Sequence, residues 1–352
     1  MADVTEDMCA AVDDKFVQDI LENDYGFING QARKLDGYDD KNFHITNAKS
    51  CSEGIKFPSE GVVIKFVNSV DAANISLMEA QTKLMQHLSD SEIHFPTPIL
   101  NKNGQGYRSL VINGKTHVVR MCKYIEGITL ENIQLDNDLA DNFGSCVGYL
   151  TNKFRTFDHE GFHRQEHIWA LENAADLLKF IDVFDEQNQR DMIENVLNKF
   201  QSSVLSHKDL LEKSIIHGDL SFNNIIVKDK KIRGVIDFGD VVWSLTFFEL
   251  AVSLCYLIMQ EFKNDNPSLS NVAIRPFIKA YQRHRSLSDL ELSLLHTSVC
   301  ARICQSLVLG KKTSLRDLTN LYVLSTQNNG WKALTSLLDI SEEQFAELVL
   351  LE

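Results

Sequence analysis

Residues 217–224 read His-Gly-Asp-Leu-Ser-Phe-Asn-Asn, and thirteen residues beyond Asn224 the chain reaches Asp237-Phe238-Gly239-Asp240. Apolar pairs, Ile215-Ile216 and Val235-Ile236, lead into the two blocks, and a β-rich run, Ile225-Ile226-Val227, joins them. No other feature constrains this chain as tightly, because spacing, residue type and strand context all agree on a catalytic loop followed by a metal-binding loop. Phosphoryl transfer needs three oxygen or amide groups converging on one γ-phosphate and its Mg²⁺, and this stretch supplies three. Asp219 is placed to accept or orient the proton of an acceptor hydroxyl. Asn224, five residues on, and Asp237 would hold Mg²⁺, a hard cation that prefers oxygen ligands.

The bulk properties leave room for such a machine. A chain of 352 residues with 44% hydrophobic and 24% charged residues is long enough for two lobes with ample core. A net charge of −14 argues against a nucleic-acid partner, which normally demands clustered Lys and Arg. The one short basic run, 228–231, reads as a solvated hairpin tip. Seven cysteines without a paired spacing read as reduced thiols of a cytosolic protein, and Cys300 and Cys304, four apart on one helix face, read as small core residues. The acidic, amphipathic segment 1–15 has the character of neither a secretory nor a mitochondrial leader. The most apolar stretch, 247–259, is too short to span a bilayer and contains Glu249, so no membrane association is expected. Nothing in the sequence identifies a protein partner.

Apolar periodicity predicts a helix over about 10–24, short strands over 26–35, 43–47 and 61–67, a helix over about 72–88, and strands over 109–112 and 116–121. These make an N-terminal nucleotide-binding lobe, residues 1–122. Residues 123–130, with a Gly at a turn position, read as a hinge. The remainder, 131–352, reads as a mainly helical catalytic and acceptor-binding lobe with helices near 136–158, 166–181, 185–206, 246–263, 270–285 and 289–310. Its only clear β material is the hairpin 225–237. The fold class is therefore α+β and two-lobed.

Lys65 follows Val62-Val63-Ile64 in an apolar strand, much as in a Val-Ala-Ile-Lys motif, and Glu79 lies fourteen residues on in the following helix. The expectation is a Lys65–Glu79 pair that fixes an ammonium over the nucleotide's phosphates. Hinge backbone near Lys123 to Glu126, Tyr124 among it, is expected to meet the base. The segment 35–43 stands where a phosphate-covering loop belongs, yet it has one Gly and two carboxylates that would repel phosphate unless turned away. His217 reads as a packing residue and Gly218 as a backbone position closed to other residues. Asp240 either faces the acceptor or caps the loop. Glu249 reads as a structural charge partner, and His163, Arg164, His167 and Trp169 as a patch either on a surface helix or beside the acceptor site.

The block 216–224 followed by 235–239 resembles the aminoglycoside-phosphotransferase-like kinases, whose fold is protein-kinase-like. The chain lacks an Ala-Pro-Glu element and an activation segment, which favours a small-molecule acceptor. Within the family, the segments 38–44 (Tyr-Asp-Asp-Lys-Asn-Phe-His), 163–169, 302–308 and Gly330-Trp331 are similar to those of the hydroxylysine kinases. Ser221-Phe222 departs from the polar pair expected after His-Gly-Asp-Leu. The resemblance implies transfer from GTP, with ATP as the other donor, to the side-chain hydroxyl of 5-hydroxy-L-lysine, a small amino alcohol. That acceptor would need acids for its ammonium groups and a fork-like cation for its carboxylate, and Asp240 and Arg302 are the candidates.

Two other readings stay open. A sister kinase would act on choline, homoserine or an aminoglycoside; choline would need an aromatic cage, for which Trp169, Trp243 and Tyr256 are scattered. A pseudokinase would signal through a partner, yet Lys65, Glu79, Asp219, Asn224 and Asp237 are all present. Asp219→Ala and Asp237→Ala are each expected to abolish nearly all turnover and to leave the fold intact.

Overall fold

The computed structural model describes residues 8–37, 39–264, 267–315 and 327–350. Tyr38, which opens the 38–44 segment, lies outside the described residues, as do positions 1–7 and the chain between the helices that flank 316–326. The chain divides into two compact units.

The first unit comprises Met1–Gly127 with the short segments His159–Gly161 and Gly234–Ile236. Helix α1 (Asp14–Tyr25) starts where the Asp13 side chain accepts the Phe16 N–H, and it ends at Gly26 in a left-handed conformation. Strands β1 (Phe27–Ile28), β2 (Gln31–Leu35), β3 (Lys41–Thr46), β4 (Lys49–Ser50) and β5 (Val62–Val67) follow. Then come α2 (Ser69–Ala72), α3 (Ile75–His87), β6 (Pro98–Ile99), β7 (Arg108–Ile112) and β8 (Lys115–Lys123). The main sheet runs β2-β3-β5-β8-β6, with β7 also on β8, and β1 pairs β4 separately. Alternation along β5 sends Val62, Ile64 and Phe66 into a core shared with Phe43, Ile45, Val119 and Met121, so Lys65 stands on the other face. Asn68 caps α2 and Asn74 caps α3, each through its side-chain oxygen.

The second unit comprises Ile128–Asp158, Phe162–Arg233 and Asp237–Glu352. It begins with β9 (Ile128–Thr129), α4 (Asn137–Phe154) and α5 (Gln187–Lys199). Strands β10 (Lys213–Ile216), β11 (Ile225–Lys228), β12 (Lys231–Val235, its last two residues grouped with the first unit) and β13 (Val242–Leu245) flank the blocks 217–224 and 236–241. Helices α6 (Phe248–Glu261), α7 (Ile274–Gln282), α8 (Asp289–Ser314), α9 (Gln327–Leu338) and α10 (Glu342–Leu350) complete it. The 228–231 run is a two-residue hairpin turn: Asp229 and Lys230 both hold positive φ, 53° and 57°, the geometry that matches strand twist.

Two expectations need correcting. The hairpin is not the only β material of this unit, since β10 pairs antiparallel with β13 and β11 with β9. These strands are only two to four residues long and mostly buried, too short for alternation to show in sequence. Residues 163–170 form turns rather than a helix, and 171–183 form 3₁₀ turns. Side chains take the carbonyls a helix would use: Asn173 Nδ2 donates to Gln165 O and His167 O, and Gln305 Nε2 to Ile168 O and Ala170 O. The stretch 247–259 lies mostly in α6, whose 14 residues are too short to span a bilayer; among the described residues α8 is long and apolar enough to do so, but 89% of that apolar window is buried inside the protein. A helix buried all round is a core helix, and this one carries Arg302 near its middle.

Candidate active site

The loop after β10 and the loop after β12 are built around fixed backbone. Gly218 has φ 77°, and a Cβ there would stand 2.9 Å from Asp240 O, so only glycine fits as expected. Glu249, fully buried in the first turn of α6, accepts the N–H groups of both His217 and, at 3.3 Å, Gly218. Burial pushes the Glu249 carboxyl up to about 7 against those two donors. It is the structural anchor of the catalytic loop. Glu249→Ala leaves two buried N–H groups without an acceptor, at about 1–3 kcal/mol each. The expected result is a clear drop in the urea midpoint; an unchanged midpoint would remove Glu249 as the anchor. His217 is buried with its ring 5.3 Å from Phe238, a packing role.

Asp219 sits where these constraints converge. Its Oδ1 accepts from Tyr256 Oη at 3.0 Å and from Arg302 Nη2 at 3.0 Å. Its Oδ2 accepts from Asn224 Nδ2 at 2.7 Å, with Ser221 Oγ more distant at 3.4 Å. A carboxylate offers about four lone-pair sites; Oδ1 is filled by two short bonds, and Oδ2 holds one short bond from Asn224 and one long contact from Ser221 Oγ, the weakest of the four and the one a hydroxyl could displace. Burial pushes the carboxyl of Asp219 up; Arg302 pulls it down, while Asp240 and Asp237 push it further up, and the balance is raised. Burial raises Tyr256 well above the ordinary phenol range, so it stays a neutral O–H donor.

Asn224 gives both amide protons to Asp219, one to Oδ2 and one to the main-chain O at 2.8 Å. That fixes the amide so that its own Oδ1 points elsewhere as an acceptor. Asp237 is exposed in a left-handed conformation, φ 63°, unusual for a residue with a Cβ, and its Oδ1 accepts the Gly239 N–H. An amide oxygen and an exposed carboxylate are hard donors of the kind Mg²⁺ takes. The residues fit the metal expected of them.

Asp240 is a carboxylate held in its charged form. His167 Nε2 lies 3.0 Å from its Oδ1, and Arg164 donates to the neighbouring Gly239 O at 2.7 Å. Burial alone would raise the Asp240 carboxyl, but His167, Arg302 and Arg164 outweigh it and hold it well below the usual range. The patch 163–169 is therefore no surface helix; it lines the catalytic loops, and His163 stacks on Trp243 at 4.9 Å.

Arg302 does not fill the role expected of it. Its side chain is 1% exposed, and its fork is committed to Asp219, Tyr256 Oη, Trp169 O and Gln305 Oε1. With both Nη groups engaged and the unpartnered Nε buried, the guanidinium offers no accessible edge to a substrate carboxylate; its bond to Asp219 positions that side chain instead. Tyr256 escaped the sequence reading in this role. The available signal was a phenol inside an otherwise apolar helix, which when buried needs a polar partner.

In the first unit, the expected Lys65–Glu79 pair is absent. Glu79 is half exposed and pairs with Lys83 one turn on at 2.6 Å, because α3 turns Leu77, Met78, Gln81, Leu84 and Met85 inward and Glu79 outward. Lys65 Nζ instead meets Asp40 Oδ2 at 2.8 Å. Tyr124 stacks on His44 with centroids 3.7 Å apart, and its N–H donates to Gly61 O at 3.2 Å, so that amide is committed within the sheet region.

Comparisons with known proteins agree with this chemistry. The profile of the phosphotransferase enzyme family matches residues 37–286. The chain is 30% identical over 353 residues to hydroxylysine kinase of Xenopus laevis, covering 95% of this chain and 91% of that one. It is 26% identical over 344 residues to hydroxylysine kinase of Danio rerio, covering 93% and 92%. Among solved structures, an amicoumacin kinase in complex with AMP-PNP and Ca²⁺ superposes with a TM-score of 0.70 at 14% identity, over 95% of this chain and 97% of that one. The fold is accordingly α+β and protein-kinase-like, with a sheet lobe and a larger helical lobe. The match to the family profile and the likeness along almost the whole chain lead to one conclusion: the chain belongs to the phosphotransferase enzyme family, as a phosphotransferase with an alcohol acceptor grouped with the hydroxylysine kinases.

Proposed function

We propose that the chain transfers the γ-phosphate of GTP to the side-chain hydroxyl of 5-hydroxy-L-lysine, giving 5-phosphooxy-L-lysine and GDP, in the cytosol. The observation that carries this reading is the end-to-end likeness to hydroxylysine kinases in a chain whose Asp219 Oδ2 has, beside the Asn224 bond, only a long 3.4 Å contact from Ser221 Oγ for a hydroxyl to displace. An alcohol is a poor nucleophile, so the enzyme's contribution is positioning and charge neutralisation. Asp219 Oδ2 receives the hydroxyl proton as the oxygen attacks phosphorus. Lys65 supplies the cation for the nucleotide's phosphates. Asp240, kept ionised by its neighbours, is suited to an acceptor ammonium. Asn224 and Asp237 would hold Mg²⁺, which when bound neutralises charge on the β- and γ-phosphates.

The test is a phosphate-transfer assay with Mg²⁺ that crosses GTP and ATP against hydroxylysine, lysine, homoserine and choline. Turnover is expected with hydroxylysine and not with lysine, which lacks only the hydroxyl, and GTP is expected to be preferred. Turnover of homoserine or choline with hydroxylysine silent would sink the acceptor; preference for ATP would sink the donor.

A further inference from the structure

We propose that Asp40, rather than a carboxylate of α3, positions the Lys65 ammonium for the nucleotide's phosphates, an inference that rests on the kinase reading above. Asp40 immediately precedes β3, in the segment where a phosphate-covering loop was expected. Its Oδ2 lies 2.8 Å from Lys65 Nζ, with the two side chains 14% and 20% exposed. Its Oδ1 is tied down separately, accepting the Asn68 N–H at 2.8 Å and Asn68 Nδ2 at 3.1 Å. Asn68 is itself buried, caps α2 through Oδ1, and gives Nδ2 to Asp71 Oδ2 at 3.0 Å as well.

One oxygen of Asp40 is thus fixed to the framework and the other to the lysine. A carboxylate held on both sides can define where a flexible four-carbon ammonium rests. One held only by the lysine would follow it. The α3 side of the sheet offers no rival. Gln81 of that helix accepts from Arg120 Nη2 through its Oε1 at 2.6 Å, and Arg120 is the cross-strand partner of Lys65 on β8. Glu79 is engaged with Lys83. The carboxylate that looked like a hindrance to phosphate in the sequence is turned onto the lysine.

A contrary role would be a cage, in which Asp40 neutralises Lys65 until phosphate displaces it. The two roles predict opposite signs. The experiment compares wild type, Asp40→Asn, Lys65→Ala and the double variant. It measures kcat and the nucleotide KM with hydroxylysine, direct binding of GTP and of ATP with Mg²⁺ by calorimetry, and thermal midpoints. Asparagine keeps an oxygen for the Asn68 N–H, so the fold should stand. The positioning role expects Asp40→Asn to lower kcat/KM for the nucleotide by about 10–100-fold, the scale of a misplaced catalytic group. It also expects the double variant to be no worse than Lys65→Ala alone, since residues acting as one unit are not additive.

Tighter nucleotide binding by Asp40→Asn would establish the cage and overturn the proposal. So would additive losses, or a loss on Glu79→Gln with none on Asp40→Asn. A drop in thermal midpoint with kcat and KM unchanged would reduce Asp40 to a structural residue and overturn it equally. If wild type binds nucleotide but phosphorylates no acceptor, the functional reading fails by itself, and the binding measurements still decide the role of Asp40.

Discussion

Asp219→Asn is expected to lower kcat by about 10²–10⁴-fold, the range that a positioned proton acceptor contributes, while nucleotide binding stays close to wild type. Asparagine preserves the shape of the side chain and can still accept from Tyr256 and Arg302 through Oδ1. What it removes is the one oxygen able to take a proton from the acceptor hydroxyl. Asp219→Ala goes further, and here the structure changes the expectation drawn from sequence. Alanine leaves the Arg302 guanidinium, 1% exposed, without its carboxylate. Removing one partner of a buried ion pair costs about 3–5 kcal/mol, toward the lower figure here because the Asp219 side chain is 22% exposed. Asp219→Ala should therefore lose stability as well as activity, and Asp219→Asn mainly activity. Steady-state kinetics with urea unfolding on both variants separates the two effects. An Asp219→Asn enzyme within about fivefold, roughly a 1 kcal/mol margin, of the wild-type kcat would mean that the catalytic loop has been misidentified.

The geometry of the 217–240 block was legible because it is local. Gly218, Asp219, Asn224 and Asp237 owe their positions to backbone geometry and strand pairing within thirty residues of chain, and local patterns survive in a one-dimensional string. Glu249 was legible for a similar reason: a carboxylate opening an apolar helix has few roles other than meeting buried donors. Lys65 was legible from its strand, but its partner was not. Choosing Glu79 required the phase of α3 relative to the sheet, and a shift of one or two residues around a helix turns a carboxylate from inside to outside. Asp40 lay in a loop, where no period marks which way a side chain points.

The 163–170 segment failed differently. Its residues are compatible with a helix, but its carbonyls bond elsewhere: to the Asn173 side chain just ahead in the chain, to Gln305 from α8, and at His167 and Ala170 to backbone N–H groups three residues on. Propensity yields to such bonds when they are buried and numerous. Strands β10 and β13 were missed because burial on both faces removes the alternation that marks a strand, and β9 because two residues are too few to show any.

Arg302 shows what sequence alone cannot weigh, and it gives the second large effect. Arg302→Ala is expected to cost about 3–5 kcal/mol of stability, because it removes the charge partner of Asp219 and the donors to Trp169 O and Gln305 Oε1. Arg302→Met should recover part of the packing while still removing the charge, which makes it the better probe of catalysis. Burial holds the Asp219 carboxyl above its ordinary range, and Arg302 opposes that rise. Asp219 acts only when ionised, so activity is lost as pH falls through its pKa, on an acid limb already higher than that of a free carboxylate. Without Arg302 the pKa climbs and the limb moves to higher pH. The loss of kcat/KM in Arg302→Met should therefore be larger at about pH 6 than at about pH 8, where more of the base is ionised in both enzymes. Arg302→Lys keeps a charge but not a planar fork, and one ammonium cannot serve Asp219, Tyr256 Oη, Trp169 O and Gln305 at once. It should hold the limb nearer to wild type than Arg302→Met does, yet still lower kcat through a poorly oriented Asp219. A wild-type-to-Met ratio that stays flat across the pH range would show that Arg302 supports the loop mechanically and leaves the ionisation of Asp219 untouched. A ratio that rises toward acid, with partial recovery in Arg302→Lys, would show that a cation buried in the middle of α8 keeps the base of this phosphotransferase charged.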